Sequence, residues 1–197
     1  MFEVLQKYFE QKFPMTENEI DLIKSVFLPK RLKKGEFFLR AGEKMRYGVF
    51  VAKGFLRSYV IDEKGKEHIV QFAPENWWIG GKTSWWMSNI ANDTNSEYFI
   101  DAIEDSCLLL IDQAGHRMLI EKIPNYSLAF QTGLQRHVDA KNKRIVHSLS
   151  ASAEERYHDF TERYPYIVQR VPQHMLASYL GITPETLSRI RGRRVKK

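Results

Sequence analysis

The chain has 197 residues, 43% of them hydrophobic and 27% charged, the proportions of a globular protein with one large or two small cores. No apolar stretch approaches the roughly 20 residues that span a bilayer, and the opening Met1-Phe2-Glu3-Val4 lacks the basic-then-apolar layout of a secretory signal, so a cytoplasmic protein with no membrane partner is expected. A single cysteine, Cys107, excludes an intrachain disulfide and a self-contained multi-cysteine iron–sulfur cluster. The net charge of +6 is unevenly spread: residues 1–114 carry 15 Lys+Arg against 17 Asp+Glu, and residues 115–197 carry 15 against 7, with five of the six histidines. A near-neutral front and a basic back suggest that the back meets a polyanion.

In chain order, Thr16-Glu17-Asn18-Glu19 forms a capping box, with Ile20, Ile23 and Phe27 following at helical spacing. That helix must stop at Leu28-Pro29, because a residue before proline avoids the helical region. From Arg31 to Asp112 the texture becomes that of short strands: residues 36–40, 47–52, 55–61, 68–73, 98–103 and 107–111 are rich in β-branched and aromatic side chains and punctuated by Gly35, Gly42, Gly54 and Gly65. Asp62-Glu63-Lys64-Gly65 reads as a hairpin turn, with glycine free to take positive φ. Such a series predicts a β-sandwich or jelly roll.

Beyond Asp112 the pattern is helical. Pro124 suits the first turn of a helix, and Phe130, Leu134, Val138, Ile145 and Leu149 recur at steps of four and seven. The predicted helix of about 25 residues, near 37 Å, carries a narrow apolar stripe flanked by Arg136, Lys141, Lys143 and Arg144, the pattern of a coiled-coil seam between two copies of the chain. The competing reading is a helix packed on its own domain. Ser150, Ser152 and the pair Glu154-Glu155 mark a hinge and a new helix start.

The segment from Gln173 to Gly192 meets each requirement of two helices joined by a very tight turn. Ala177 is small enough for close helix approach, Gly181 stands where positive φ is needed, and Leu176, Leu180, Ile182, Leu187 and Ile190 supply the lock. Thr183 is an N-cap, Pro184 a first helical residue, and Glu185 suits the positive end of the helix dipole. The second helix then presents Glu185, Thr186, Ser188, Arg189 and Arg191. Arginine reads guanine O6 and N7, glutamate accepts from cytosine N4, and serine or a threonine methyl meets thymine. Glu185 and Arg189, four apart, are spaced to orient one another. The tail Arg191-Gly192-Arg193-Arg194-Val195-Lys196-Lys197 has five positive charges and no acid, suiting it to phosphates. Double-stranded DNA is therefore the expected partner.

A glycine-punctuated roll, a long helix and Gly181-Ile182-Thr183-Pro184-Glu185-Thr186-Leu187-Ser188-Arg189-Ile190 together resemble the cAMP receptor protein/anaerobic regulator (Crp/Fnr) family of bacterial transcription factors, over about residues 29–194. The resemblance implies an α+β chain: an N-terminal cyclic-nucleotide-binding-type β-roll with its leading helix (1–122), a central dimerisation helix (123–150) and a C-terminal helix-turn-helix (151–197). It also implies a homodimer on a palindromic site that recruits or blocks RNA polymerase. Glu185, Ser188 and Arg189 match the family's base-reading positions in the manner of the anaerobic branch, which reads TTGA-type half-sites. Pro184 replaces a base-reading arginine of the cAMP receptor protein. Gln173, Thr183, Thr186, Arg191, Arg193 and Arg194 are expected to contact or support the DNA backbone.

Two departures concern the sensor. The cAMP branch carries Phe/Ile-Gly-Glu and then Arg-Ser/Thr-Ala, where this chain reads Ile79-Gly80-Gly81, with Ser96 at the arginine and Glu97 at the hydroxyl residue. The anaerobic branch's cysteines are absent. The expectation is an unidentified small-molecule effector or none, with neither cAMP nor an iron–sulfur cluster. Gly80, Gly81, Lys82, Trp85, Ser96 and Glu97 are the candidate effector pocket; Trp77, Trp78, Trp85 and Trp86 lie in this region and equally suit a core. Because the chain ends soon after the second helix of the motif, no C-terminal β-wing is expected. A cupin-like enzyme is the alternative from another class, but such a metal site needs clustered histidines and the roll has only His68, read as structural. A signalling module without DNA binding is the third reading, and the helix-turn-helix tells against it.

Overall fold

A computed structural model of the chain describes residues 1–80 and 95–194. Two compact units emerge, one formed by Met1–Val60 with Val70–Gly133, the other by Ile61–Ile69 with Leu134–Lys197.

The first unit opens with helix α1 (Phe2–Glu10), which the sequence reading did not anticipate, and α2 (Glu17–Val26). The Thr16 capping box forms as expected: the hydroxyl accepts from Glu19 N, and the Glu19 carboxylate accepts from Thr16 N at 2.8 Å. Eight strands follow: β1 (Leu28–Leu32), β2 (Phe37–Leu39), β3 (Tyr47–Lys53), β4 (Leu56–Ile61), β5 (Glu67–Ala73), β6 (Trp78–Ile79), β7 (Phe99–Ala102) and β8 (Ser106–Asp112). They make two four-stranded sheets, β1-β8-β3-β6 and β2-β7-β4-β5. The six predicted strands are all present. The two additions are β1, which begins three residues before the expected change of texture, and the two-residue β6.

Why β3 and β8 read as continuous apolar runs is now plain. Val49, Val51, Leu108 and Leu110 face the other sheet, packing with Leu39, Leu56, Ile100 and Ala102. Phe50, Ala52, Leu109 and Ile111 point the other way, into a second core built with Leu5 and Phe9 of α1, Ile23 of α2 and Leu119. Strands covered on both faces have no polar side to alternate with. Trp78 belongs to this outer core, with its ring 5.4 Å from that of Phe50 and 6.1 Å from that of Phe27. Gly54, between β3 and β4, has φ +95°, and a Cβ there would stand 2.6 Å from the Asp105 carbonyl oxygen, so both backbone and space demand glycine. Across β4 and β7, Arg57 and Asp101 stand directly opposite and form a buried two-pronged ion pair at 2.8 and 2.9 Å. Each partner completes the other, and truncating either leaves a buried charge.

Helix α3 (Gln113–Lys122) is capped by Asp112, whose carboxylate accepts from Gly115 N, and is followed by α4 (Pro124–Ser150), 27 residues long. His116 of α3 is 2% exposed, shares a 2.8 Å hydrogen bond with the Tyr126 hydroxyl and meets the Phe130 ring edge-on at 4.4 Å. Burial lowers its pKa to about 4 and raises that of Tyr126. A histidine whose folded pKa is depressed contributes stability that is complete above its unfolded value near 6.5 and is lost as pH falls towards 4. The expected loss is roughly 3 kcal/mol across that window. Urea melts at stepped pH would show it, and an unchanged acid limb in His116→Gln would assign the loss to other groups.

The second unit contains the hairpin tip 61–69, the later part of α4, and helices α5 (Ala153–Arg163), α6 (Pro165–Arg170), α7 (Gln173–Leu180) and α8 (Pro184–Arg194). The hairpin turns where expected, with Gly65 at φ +78° and the Asp62 carboxylate accepting from Lys64 N and Lys66 N. Asp62 also bonds His68 at 2.8 Å. The predicted restart after α4 is a second capping box, Ser152 with Glu155. No helix among the described residues is long and apolar enough to cross a membrane.

Candidate nucleic-acid interface

The pair α7–α8 is built as its residues dictate. Leu176, Ala177, Leu180 and Leu187 are buried, and Ala177 and Leu187 have no exposed surface at all. Gly181 takes φ +67°, and its N–H and that of Ile182 return to carbonyls of α7, the latter to Ala177 O at 3.0 Å. Nothing lies within 4 Å of where a Gly181 side chain would begin, so the backbone angle alone selects glycine. The Thr183 hydroxyl accepts from Thr186 N at 3.2 Å, capping α8.

With Leu187 turned inward, Glu185, Ser188 and Arg189 are all exposed on the first turns of α8, at the i, i+3, i+4 spacing of one helix face. Gln173 and Thr183 are exposed beside them; Thr186 and Arg191 are half-buried. Arg193 and Arg194 continue α8, and 195–197 lie outside the described residues. The Glu185 carboxylate is held by its own backbone N–H and the Thr183 hydroxyl, which lower its pKa. Arg189 is exposed on the next turn.

The later part of α4 offers a different surface. Val138, Ile145 and Leu149 are 41%, 57% and 84% exposed, joined by Leu128 at 63% and Val146 at 58%, two residues outside the predicted stripe. At 100° per residue the first three fall within an arc of about 40°, and Leu128 and Val146, five turns apart, share a line about 60° from its edge. Phe130 and Leu134 are half-buried; Phe130 turns toward His116 of its own chain. Within one chain, Phe130 and Leu134 are thus partly covered while Val138, Ile145 and Leu149 are open.

Of the sensor candidates, Gly80 is half-buried, Ser96 is buried and Glu97 exposed. The Ser96 hydroxyl accepts from Tyr98 N at 3.0 Å, and its backbone is paired to Gly42 and Glu43. Gly81, Lys82, Trp85 and Trp86 lie outside the described residues.

An antiparallel double-sheet roll, a long helix with exposed apolar residues, and a capped helix-turn-helix with its polar residues outward are the parts on which a DNA-binding reading rests. Comparison with known proteins agrees. Residues 29–122 match the cyclic nucleotide-binding domain. The chain is 25% identical over 193 residues to the fumarate and nitrate reduction regulatory protein of Yersinia pestis, covering 92% of this chain and 74% of that one. Among solved structures, FixK2 from Bradyrhizobium japonicum superposes with a TM-score of 0.72 at 18% identity over 85% of this chain and 84% of its own. A crp/fnr-family chain from Eubacterium rectale gives 0.68 at 18% identity over 95% and 89%. The chain is thus similar in sequence to the first of these regulatory proteins and shares the fold of the crp/fnr-family regulator among the solved structures. These relatives are regulators rather than enzymes.

Proposed function

We propose that two copies of this chain pair through α4 and read a palindromic DNA site with α8. The observation that carries this reading is the exposure of Glu185, Ser188 and Arg189 together on the first turns of a capped helix whose other side is locked into α7. In this reading those three meet base edges in the major groove, arginine at guanine, glutamate at a cytosine amino group, serine at a neighbouring base. Gln173, Thr183, Thr186, Arg191, Arg193 and Arg194 meet or support the phosphate backbone. The functional division is a sensor-type roll (1–122), a dimerisation helix (123–150) and a reader (151–197), working in the cytoplasm on double-stranded DNA and RNA polymerase without catalysing a reaction. Selection of binding sites from random DNA tests the core of this. Recovered sequences should hold two inverted half-sites centred about 34 Å apart; recovery of no inverted repeat would reject dimeric reading.

We infer further that any small-molecule effector is neither cAMP nor one held by an iron–sulfur cluster. A buried cyclic phosphate needs donors and a cation, which arginine's fork supplies best. At the aligned positions the Ser96 hydroxyl already donates to Tyr98 O and accepts from Tyr98 N, and Glu97 is a carboxylate that repels phosphate. Ser96 and Glu97 do not fit the ligand. Isothermal titration with cAMP is expected to show no saturable binding; a dissociation constant tighter than about 10 μM would overturn this.

A further inference from the structure

The second unit contains a contact that the DNA-reading surface does not itself require. Ser178 lies on α7, on the helix that supports α8. Its hydroxyl donates to Glu67 O at 2.8 Å and accepts from Ile69 N at 3.0 Å. Donor and acceptor duties are both met by alternate residues on β5, so one serine does what a neighbouring strand would do. Arg144, on α4, closes the same junction: Nη2 donates to Ile69 O at 3.0 Å and to Tyr179 O at 2.8 Å, and the guanidinium stands 3.9 Å from the centre of the Tyr179 ring. The next carbonyl of α7, Leu180 O, accepts from Arg156 Nε at 3.1 Å. The last carbonyls of a helix have no partner within the helix and carry its negative end. Here two arginines satisfy them, one of which is also bound to the hairpin.

We propose that Ser178 and Arg144 are positioning residues for DNA reading, fastening α7, and with it α8, to the β4–β5 hairpin and to α4 so that the separation of two readers in a dimer is held. This rests on the dimeric reading above. Neither side chain needs to touch DNA. Because the Ser178 hydroxyl meets backbone groups of residues 67 and 69, its part of the fastening depends on that hydroxyl and not on which side chains stand there.

The test uses the full chain and three variants: Ser178→Ala, which deletes both hairpin bonds; Ser178→Thr, which keeps the hydroxyl; and Arg144→Lys, which keeps the charge but loses the planar fork. Hydrogen exchange of the Ile69 amide reads the contact directly. Loss of a hydrogen bond of ordinary strength should speed it about fivefold in Ser178→Ala, with Ser178→Thr close to the parent. Affinity for the selected palindrome and for versions with one base pair added to or removed from the spacer reads the consequence. The parent should discriminate among spacers, and Ser178→Ala and Arg144→Lys should lose most of that discrimination while each half-site keeps its base preference. A serine serving only fold stability would lower affinity for all spacers in equal ratio. Unchanged Ile69 exchange in Ser178→Ala overturns the fastening, whatever the DNA result. Unchanged spacer discrimination in both Ser178→Ala and Arg144→Lys overturns the positioning role. Failure of the parent to prefer any inverted repeat rejects the dimeric reading itself and this proposal with it.

Discussion

In the dimer proposed above, Val138→Glu with Ile145→Glu is expected to yield monomers. Both side chains are substantially exposed within one chain, at 41% and 57%, so neither replacement disturbs a core, and the thermal melt of the protomer domains should be retained. In a two-fold seam each substitution occurs twice. Removing four β-branched side chains from an interface forfeits about 1.5–3 kcal/mol for each one fully buried, less for partial burial. The glutamates must in addition leave water beside their symmetry mates. Even half of the apolar loss is about 3–6 kcal/mol, a weakening of two orders of magnitude or more at 1.4 kcal/mol per tenfold. Sedimentation velocity across a concentration series measures it directly. A double variant that sediments as a dimer would place the subunit contact elsewhere. The face containing Leu128 and Val146 would then be the next to examine, because both are more than half exposed.

Arg189→Ala should flatten base preference at one position in each half-site and leave the others intact. Arg189 stands exposed on the second turn of α8, and the carboxylate four residues earlier is engaged by Thr183 and its own backbone. Its guanidinium is therefore available for a bidentate bond to guanine, a contact that discriminates by about 1–3 kcal/mol. A palindrome presents it twice, so affinity for the intact site should fall roughly 30-fold to 10⁴-fold. The salt dependence should change little, since phosphate contacts set that slope. Competition binding against all single-base variants of the selected site separates the two effects. A uniform loss across all variants, with a shallower salt slope, would make Arg189 a phosphate contact instead.

Features dictated by neighbours in the chain were legible in the sequence. The capping box at Thr16, the helix restart near Ser152, the left-handed turn glycine Gly181, the Asp62–Gly65 hairpin and the inward Leu187 each depend on interactions within about one helical turn or one hairpin. Residue type and spacing were enough to find them, and the reading helix with its candidate site came with them. Helix α1 escaped attention although Phe2, Leu5 and Phe9 sit at helical spacing, because no cap announces it: Met1 makes no side-chain cap bond. Strand β6 is two residues long, too short for any periodicity, and exists because Val49 and Phe50 of β3 pair with it.

Other features belong to the tertiary structure alone. Arg57 and Asp101 are 44 residues apart, and only the β4–β7 register turns two scattered charges into one buried pair. The apolar stripe of α4 was visible as a period, but which of its residues serve their own chain was settled by packing: His116 takes up Phe130, leaving the outward arc to Val138, Ile145, Leu149 and two unforeseen neighbours. Nothing in the sequence singles out Ser178 within the helix-turn-helix. Its partners stand 109 and 111 residues away and are backbone atoms, which every residue but proline presents alike, so no pattern of side chains could have pointed to them.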